Sequence, residues 1–241
     1  MASLRSKFYS RMLRRTFRGR GFGEGLEALK RMRSGEDRSF ILSLLSQSAP
    51  PQSTVEINGN YAEWLGNPQA EYTLLYLHGG GYIMGGPDTH REMVRRLAGY
   101  ANVRALLLDY RLAPESPFPA AIEDAEAAYD WLIAQGVAPE KMFVAGDSAG
   151  GGLSLALMLK LKEHGKIQPK ASALLSPWTD LTASGESART RAERDPMIDI
   201  NRMPEAIAYY CNGHPTDDPL VSPVFADLSG LAPLFVQVGT E

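Results

Sequence analysis

Lys-Met-Phe-Val-Ala-Gly-Asp-Ser-Ala-Gly-Gly-Gly, residues 141–152, decides how this 241-residue chain folds. The apolar run Met142, Phe143, Val144 and Ala145 predicts a buried parallel strand that stops at Gly146, and the apolar spacing over 153–161 predicts a helix after Gly150. Between them stands Gly146-Asp147-Ser148-Ala149-Gly150, a G-x-S-x-G pattern in a strand–turn–helix context. A tight turn there would hold the Ser148 hydroxyl above the sheet, beside the N-terminus of the following helix. Glycines on either side leave room for the strained backbone and for the crossing of strand and helix. Ser148 is therefore the candidate nucleophile.

Outward from this stretch, strands and helices alternate. Residues 1–50 read as helical, in a basic segment followed by 26–33 and 37–46, and Ala49-Pro50-Pro51 marks the change to a β pattern. Residues 55–58 and 61–65 alternate around Asn58-Gly59-Asn60, which predicts a hairpin. The run 72–77 predicts a central strand leading straight into His78-Gly79-Gly80-Gly81-Tyr82. A helix over 91–100, a strand over 103–110 and a helix running from Pro119 to about 135 precede the opening stretch. After it come a strand over 171–175, a polar loop over 182–200, a helix over 201–211 and a last strand over 233–239. This order predicts an α/β fold: a mostly parallel central sheet flanked by helices, right-handed βαβ crossovers and an antiparallel first edge. The expected domains are a helical cap over 1–50 and an α/β domain over 51–241.

Composition narrows the function classes. A hydrophobic content of 44%, a charged content of 22% and a net charge of −3 fit a globular protein and argue against a nucleic-acid partner. Cys211 is the single cysteine, so no internal disulfide or zinc-type cluster is expected, and the expected location is the cytoplasm. No run of 18 apolar residues is present to span a membrane. The first twenty residues hold seven Arg or Lys and no acid. No apolar core follows them, so a secretory signal is not expected. Leu4, Phe8, Met12, Leu13 and Phe17 recur at helical spacing, and that stripe is expected to lie on the protein's own surface.

Three glycines directly after a strand, Gly79, Gly80 and Gly81, offer backbone N–H groups unobstructed by side chains. Such donors suit an oxygen that gains negative charge when a hydroxyl attacks an ester carbonyl, and the N–H of Ala149 would complete the cradle. Phosphate binding is the competing use of a Gly-rich loop, but no G-K-[ST] sequel and no dinucleotide fingerprint follows.

His78-Gly-Gly-Gly-Tyr82, Tyr110-Arg-Leu-Ala-Pro-Glu115 and Gly146-Asp-Ser-Ala-Gly-Gly151 resemble the hormone-sensitive-lipase-like esterases of the α/β-hydrolase fold. Within them the likeness is to the bacterial branch of acetyl-hydrolases and short-chain carboxylesterases. Ser176-Pro-Trp-Thr-Asp-Leu181, Asp195-Pro-Met197, Ser222-Pro223 and Leu228-Ser-Gly-Leu-Ala-Pro233 are similar too. The resemblance implies Ser148 as nucleophile, the N–H groups of Gly80, Gly81 and Ala149 as oxyanion hole, and the N-terminal helices as a cap shaping the acyl pocket. It implies a small carboxylic ester as substrate, no metal or organic cofactor, and a homodimer paired through edge strands as a possible assembly.

The sequence departs from the pattern near its end. The family places its triad acid just after the strand that here ends Val238-Gly239-Thr240-Glu241, and its histidine one strand further on. Glu241 is then the acid or the residue before it. His78, His90, His164 and His214 read as structural or solvated. The expectation is a polypeptide truncated at its C-terminus relative to the working enzyme and lacking its base. Lipase, lactone-hydrolase and non-catalytic ligand-binding readings stay open. Asp147 reads as a hydrogen-bonded turn residue, and Tyr82, Trp178, Tyr209 and Cys211 as core. Arg111 and Glu115 are expected to pair with each other or with backbone, and Asp124 to sit at the positive end of a helix dipole.

Overall fold

In the computed structural model, which describes residues 4–15, 25–34 and 49–239, Asn58 and Gly59 both take positive φ, 51° and 83°. That pair of left-handed residues is what a tight two-residue hairpin needs. It joins β1 (Ser53–Ile57) to β2 (Asn60–Gly66) as an antiparallel pair. The remaining strands are β3 (Thr73–Leu77), β4 (Arg104–Leu108), β5 (Met142–Asp147), β6 (Ala171–Leu175) and β7 (Leu234–Gln237). They form one seven-stranded sheet in the order β1-β2-β4-β3-β5-β6-β7. β2 meets β4 antiparallel, and every pairing from β4 through β7 is parallel. This is the expected α/β sheet with an antiparallel first edge.

Successive side chains along β3 and β4 point to opposite faces, and both faces are covered. Leu75, Leu77, Leu106, Leu108 and Val144 join one core with residues of α4 (Ala120–Ala134) and α5 (Ala149–Glu163). Leu74, Tyr76, Ala105, Leu107 and Ala145 join a second core with Val94 and Ala98 of α3 (Pro87–Ala101). α5 is buried from Ala149 through Leu159 and again at Leu161, so it has almost no polar face. At the far edge, β7 leaves Phe235 and Val236 exposed, and Val238 just beyond it is exposed as well.

Several boundaries differ from expectation. β5 continues to Asp147, and α5 starts at Ala149, so Gly150, Gly151 and Gly152 lie inside the helix instead of before it. Glycine is a poor helix former, and it is tolerated here because neighbouring backbone leaves no space for a Cβ. α3 begins at Pro87, where a missing N–H costs nothing, ahead of the apolar periodicity that starts near residue 91. The polar loop over 182–200 holds a short helix, α6 (Glu186–Thr190), and α7 (Met203–Cys211) begins two residues later than expected.

Near the N-terminus the structure holds α1 (Leu4–Leu13) and α2 (Leu26–Ser34). The helix expected over 37–46 lies outside the described residues. Ala28 and Leu29 of α2 are buried. Arg33, at its end, donates from Nε to the Ile83 carbonyl at 2.6 Å, from Nη1 to Glu115 at 2.7 Å, and from Nη2 to the Ala113 carbonyl. Arg33→Ala strips these bonds from two partly buried carbonyls. It is expected to cost about 2 kcal/mol and to speed amide exchange over residues 26–34, read by hydrogen–deuterium exchange.

Candidate active site

Ser148 sits between β5 and α5 at φ 52° and ψ −121°, a conformation that a non-glycine residue rarely adopts and that costs on the order of 1–3 kcal/mol. The surroundings hold it there. Its N–H donates to the Leu175 carbonyl at 2.9 Å, and its carbonyl accepts from Trp178 N–H at 2.8 Å and Gly152 N–H at 3.1 Å. Both glycines of the pentapeptide are required by close approach. A Cβ on Gly146 would lie 2.5 Å from the Leu77 carbonyl oxygen, and one on Gly150 would lie 2.0 Å from that atom and 2.5 Å from the His78 carbonyl oxygen. The same crowding presses the start of α5 against the end of β3, where the glycine loop begins. The Ser148 side chain is half-buried, and no described residue hydrogen-bonds its hydroxyl.

The glycine loop is fixed peptide by peptide. The His78 carbonyl accepts from the Tyr110 hydroxyl at 2.7 Å, and the Gly79 N–H donates to Asp147 Oδ1 at 3.1 Å. The Gly79 carbonyl pairs with His78 Nδ1 at 2.9 Å, and since a carbonyl can only accept, Nδ1 carries the proton. The Gly80 carbonyl accepts from Ile83 and Met84 N–H at 3.2 and 3.0 Å. Because a peptide is planar, holding each carbonyl aims the N–H that follows it. The N–H groups of Gly80 and Gly81 have no acceptor among the described residues. Neither does that of Ala149, the first residue of α5, which also stands at the positive end of the helix dipole. Gly80 and Gly81 take φ of 135° and 64°, which glycine adopts freely, whereas Tyr82 at φ 63° is strained.

Each of the four histidines pairs with a group other than the Ser148 hydroxyl. His78 is fully buried and stacks on Tyr110 at 4.2 Å. Burial, with help from the nearby His90, pushes it down to about 3, so it is neutral. His90 lies 3.4 Å from the Asp147 carboxylate, His164 pairs with Glu126 at 2.6 Å, and His214 with Asp218 at 2.8 Å. Burial opposes the charge on Asp147, but hydrogen bonds from His90, Tyr76 and Gly79 outweigh it and hold the carboxyl below its ordinary value. Glu241 lies outside the described residues.

Several side chains differ from their expected partners. Arg111 pairs with Asp124, its backbone N–H donating at 2.8 Å and its Nε at 2.9 Å, and also with Glu123 at 3.1 Å. Glu115 reaches Arg33 instead, across 82 positions of sequence. Asp124 is buried and answers Arg111, a tertiary role beyond the dipole effect expected of it. Tyr82 is buried and stacked on Tyr210 at 3.8 Å, with Trp178 at 6.2 Å. Tyr209 is half-buried and donates to Glu205, while Cys211 is buried as expected. An open groove of ≈460 Å³ is lined by Leu181, Ile200, Met203, Ile207 and His214. No group of three His, Cys, Asp or Glu among the described residues could hold a metal ion.

A family profile described as alpha/beta hydrolase fold matches residues 74–241. The chain belongs to the α/β-hydrolase family. An acetyl-hydrolase of Streptomyces hygroscopicus is 43% identical over 193 residues, which cover 80% of this chain and 64% of that protein. An esterase of Acinetobacter venetianus is 35% identical over 208 residues, covering 83% of this chain and 69% of the esterase. This hydrolase-fold protein thus spans roughly two thirds of the length of these curated relatives. The crystal structure of an esterase from the bacterial hormone-sensitive lipase family matches it with a TM-score of 0.85 at 39% identity, covering 98% of this chain and 78% of that one. The resemblance carried by the three glycine and arginine motifs is met in both sequence and fold.

His78 gives this α/β-hydrolase a pH-dependent stability. The unfolded protein binds a proton at His78 near the ordinary value of 6.5, whereas the folded protein excludes it until about pH 3. Stability is therefore full above 6.5 and falls as the pH drops towards 3, by up to about 1.4 kcal/mol per pH unit. Urea denaturation at pH 7 and pH 5 is expected to differ by about 2 kcal/mol more in the native protein than in His78→Asn, which has no proton to exclude.

Proposed function

We propose that the protein hydrolyses small carboxylic esters through an acyl-enzyme on Ser148. The observation that carries this reading is the strained Ser148 backbone, seated beside three N–H groups that nothing else uses among the described residues. In the proposed reaction, Ser148 Oγ bonds to the ester carbonyl carbon while its proton passes to a base. The carbonyl oxygen becomes an oxyanion and takes hydrogen bonds from Gly80, Gly81 and Ala149. Collapse expels the alcohol, which recovers that proton. Water then gives a proton to the base and bonds to the acyl carbon, and the C–Oγ bond breaks to release the carboxylic acid while Ser148 Oγ takes the proton back.

The base in this scheme is a group other than His78, His90, His164 and His214, because each of those pairs with another group and none hydrogen-bonds the Ser148 hydroxyl. The N-terminal helices serve as the cap over the site. Arg33 supports that role by tying α2 to Ile83 and Ala113, which flank the glycine loop and the loop after β4. No helix among the described residues is long and apolar enough to cross a membrane.

The test is labelling with a fluorophosphonate alongside hydrolysis of p-nitrophenyl acetate, butyrate and laurate by the full-length natural polypeptide. The expected result is an adduct on the peptide containing Ser148 and faster turnover of the two shorter esters. No adduct and no turnover would overturn the reading, and a preference for laurate would overturn its short-chain part.

A further inference from the structure

We propose that Asp147 is the positioning residue of the oxyanion loop: its carboxylate ties the strand that carries Ser148 to the peptide that sets the direction of the Gly80 and Gly81 N–H groups. The inference rests on the ester-hydrolase reading of the site.

Asp147 is the last residue of β5, immediately before Ser148, so its backbone moves with the nucleophile. Its Oδ1 accepts from two sides, from the Tyr76 hydroxyl at 2.9 Å and from the Gly79 N–H at 3.1 Å. Tyr76 is fully buried in β3, the strand next to β5, so the carboxylate is braced against the sheet. His90 of α3 approaches the same carboxylate at 3.4 Å. Contact with the loop is close: a Cβ on Gly79 would lie 2.2 Å from Asp147 Oδ2, so glycine alone fits at that position.

The consequence reaches the reacting atoms through planar peptides. Asp147 takes the N–H of the His78–Gly79 peptide while Tyr110 takes its carbonyl, so that unit cannot rotate. The next two units hang from it, each held by one carbonyl and each presenting an N–H with no acceptor among the described residues. Removing the Asp147 acceptor releases the first anchor of that series. A tilt of the donors weakens binding of the oxyanion, which exists only in the transition state and the intermediate, and leaves ground-state binding largely alone.

What matters on this account is the acceptor oxygen and not the negative charge. A full negative charge beside a developing oxyanion opposes it, and here the charge is offset by His90, Tyr76 and Gly79. Asp147→Asn keeps an Oδ1 for both Gly79 and Tyr76 and turns its amide to His90. Asp147→Ala removes the oxygen. Asp147→Glu keeps the charge but carries its oxygens one methylene away.

The experiment compares these variants of the full-length polypeptide by p-nitrophenyl butyrate kinetics and by hydrogen–deuterium exchange over residues 78–86. Asp147→Ala is expected to lower kcat about 30–100-fold with KM changed less than about 3-fold, since the loss of a direct oxyanion donor sets the upper limit near 10²–10³. Asp147→Asn is expected to stay within about 5-fold of the native kcat, and exchange over 78–86 to rise in Asp147→Ala but not in Asp147→Asn. Should Asp147→Ala fail to fold, Asp147→Glu takes its place, with the same loss of kcat expected. The proposal is overturned if Asp147→Ala keeps native kcat, if Asn falls as far as Ala or Glu, or if exchange over 78–86 is unchanged. If the native protein neither turns over ester nor takes the fluorophosphonate, the hydrolase reading has failed. The exchange comparison still decides whether Asp147 holds the loop.

Discussion

Ser148→Ala is expected to remove ester hydrolysis by about 10⁴-fold or more and to abolish fluorophosphonate labelling, with no loss of stability. The size of the effect follows from the chemistry. Without Oγ no covalent intermediate forms, and only the oxyanion donors and substrate binding are left to favour attack by water. Stability gives a second and independent readout. Ser148 is held at φ 52°, so its Cβ adds strain, and the hydroxyl bonds to no described residue. Ser148→Gly, which relaxes that backbone, is expected to be as inactive as alanine and more stable than the native protein by about 1 kcal/mol, or roughly 2–4 °C in Tm. An inactive variant with an unchanged or raised Tm places the residue in the chemistry. A variant that keeps turnover would remove Ser148 from it.

Gly150→Ala is expected to be the most damaging single methyl in the protein. The added Cβ would lie 2.0 Å from the Leu77 carbonyl oxygen and 2.5–2.6 Å from the His78 carbonyl group. All three are backbone atoms at the end of a central strand, so no rotamer change relieves the clash, and α5 must shift from the sheet. A loss of about 3 kcal/mol or more is expected, near 10 °C in Tm, with activity falling as Ala149 leaves its place. Gly99→Ala is the control. Gly99 also lies in a helix, α3, but a Cβ there meets nothing within 4 Å, and the change is expected to stabilise by about 0.5–1 kcal/mol. Thermal unfolding of the two variants side by side separates helix propensity from steric exclusion.

These contrasts mark where local sequence stops being informative. Strands β3 and β5 are legible because residues buried on both faces leave short unbroken apolar runs, and the hairpin is legible because Asn58-Gly59 suits a left-handed turn. The strand order is not legible: β4 lies between β2 and β3, and only the packing of α3 against β2 and β4 makes that crossover visible. Gly150, Gly151 and Gly152 read locally as a loop before a helix. They lie in the helix, and these helical positions admit only glycine because Leu77, Pro177 and Trp178, remote in sequence, occupy the space a side chain would need. Arg111 and Glu115 stand four apart in one motif, yet bind Asp124 and Arg33 in different directions.

By itself the sequence determined the tight turn at Ser148, the glycine loop and the alternation that makes a parallel sheet, because each depends on residues within a few positions of one another. Only the tertiary structure decided which amide groups lack an acceptor among the described residues, that His78 is neutral and buried, and that Asp147 reaches across 68 positions to Gly79. Those properties depend on which distant backbone groups meet and how much water they exclude, and no local pattern encodes either.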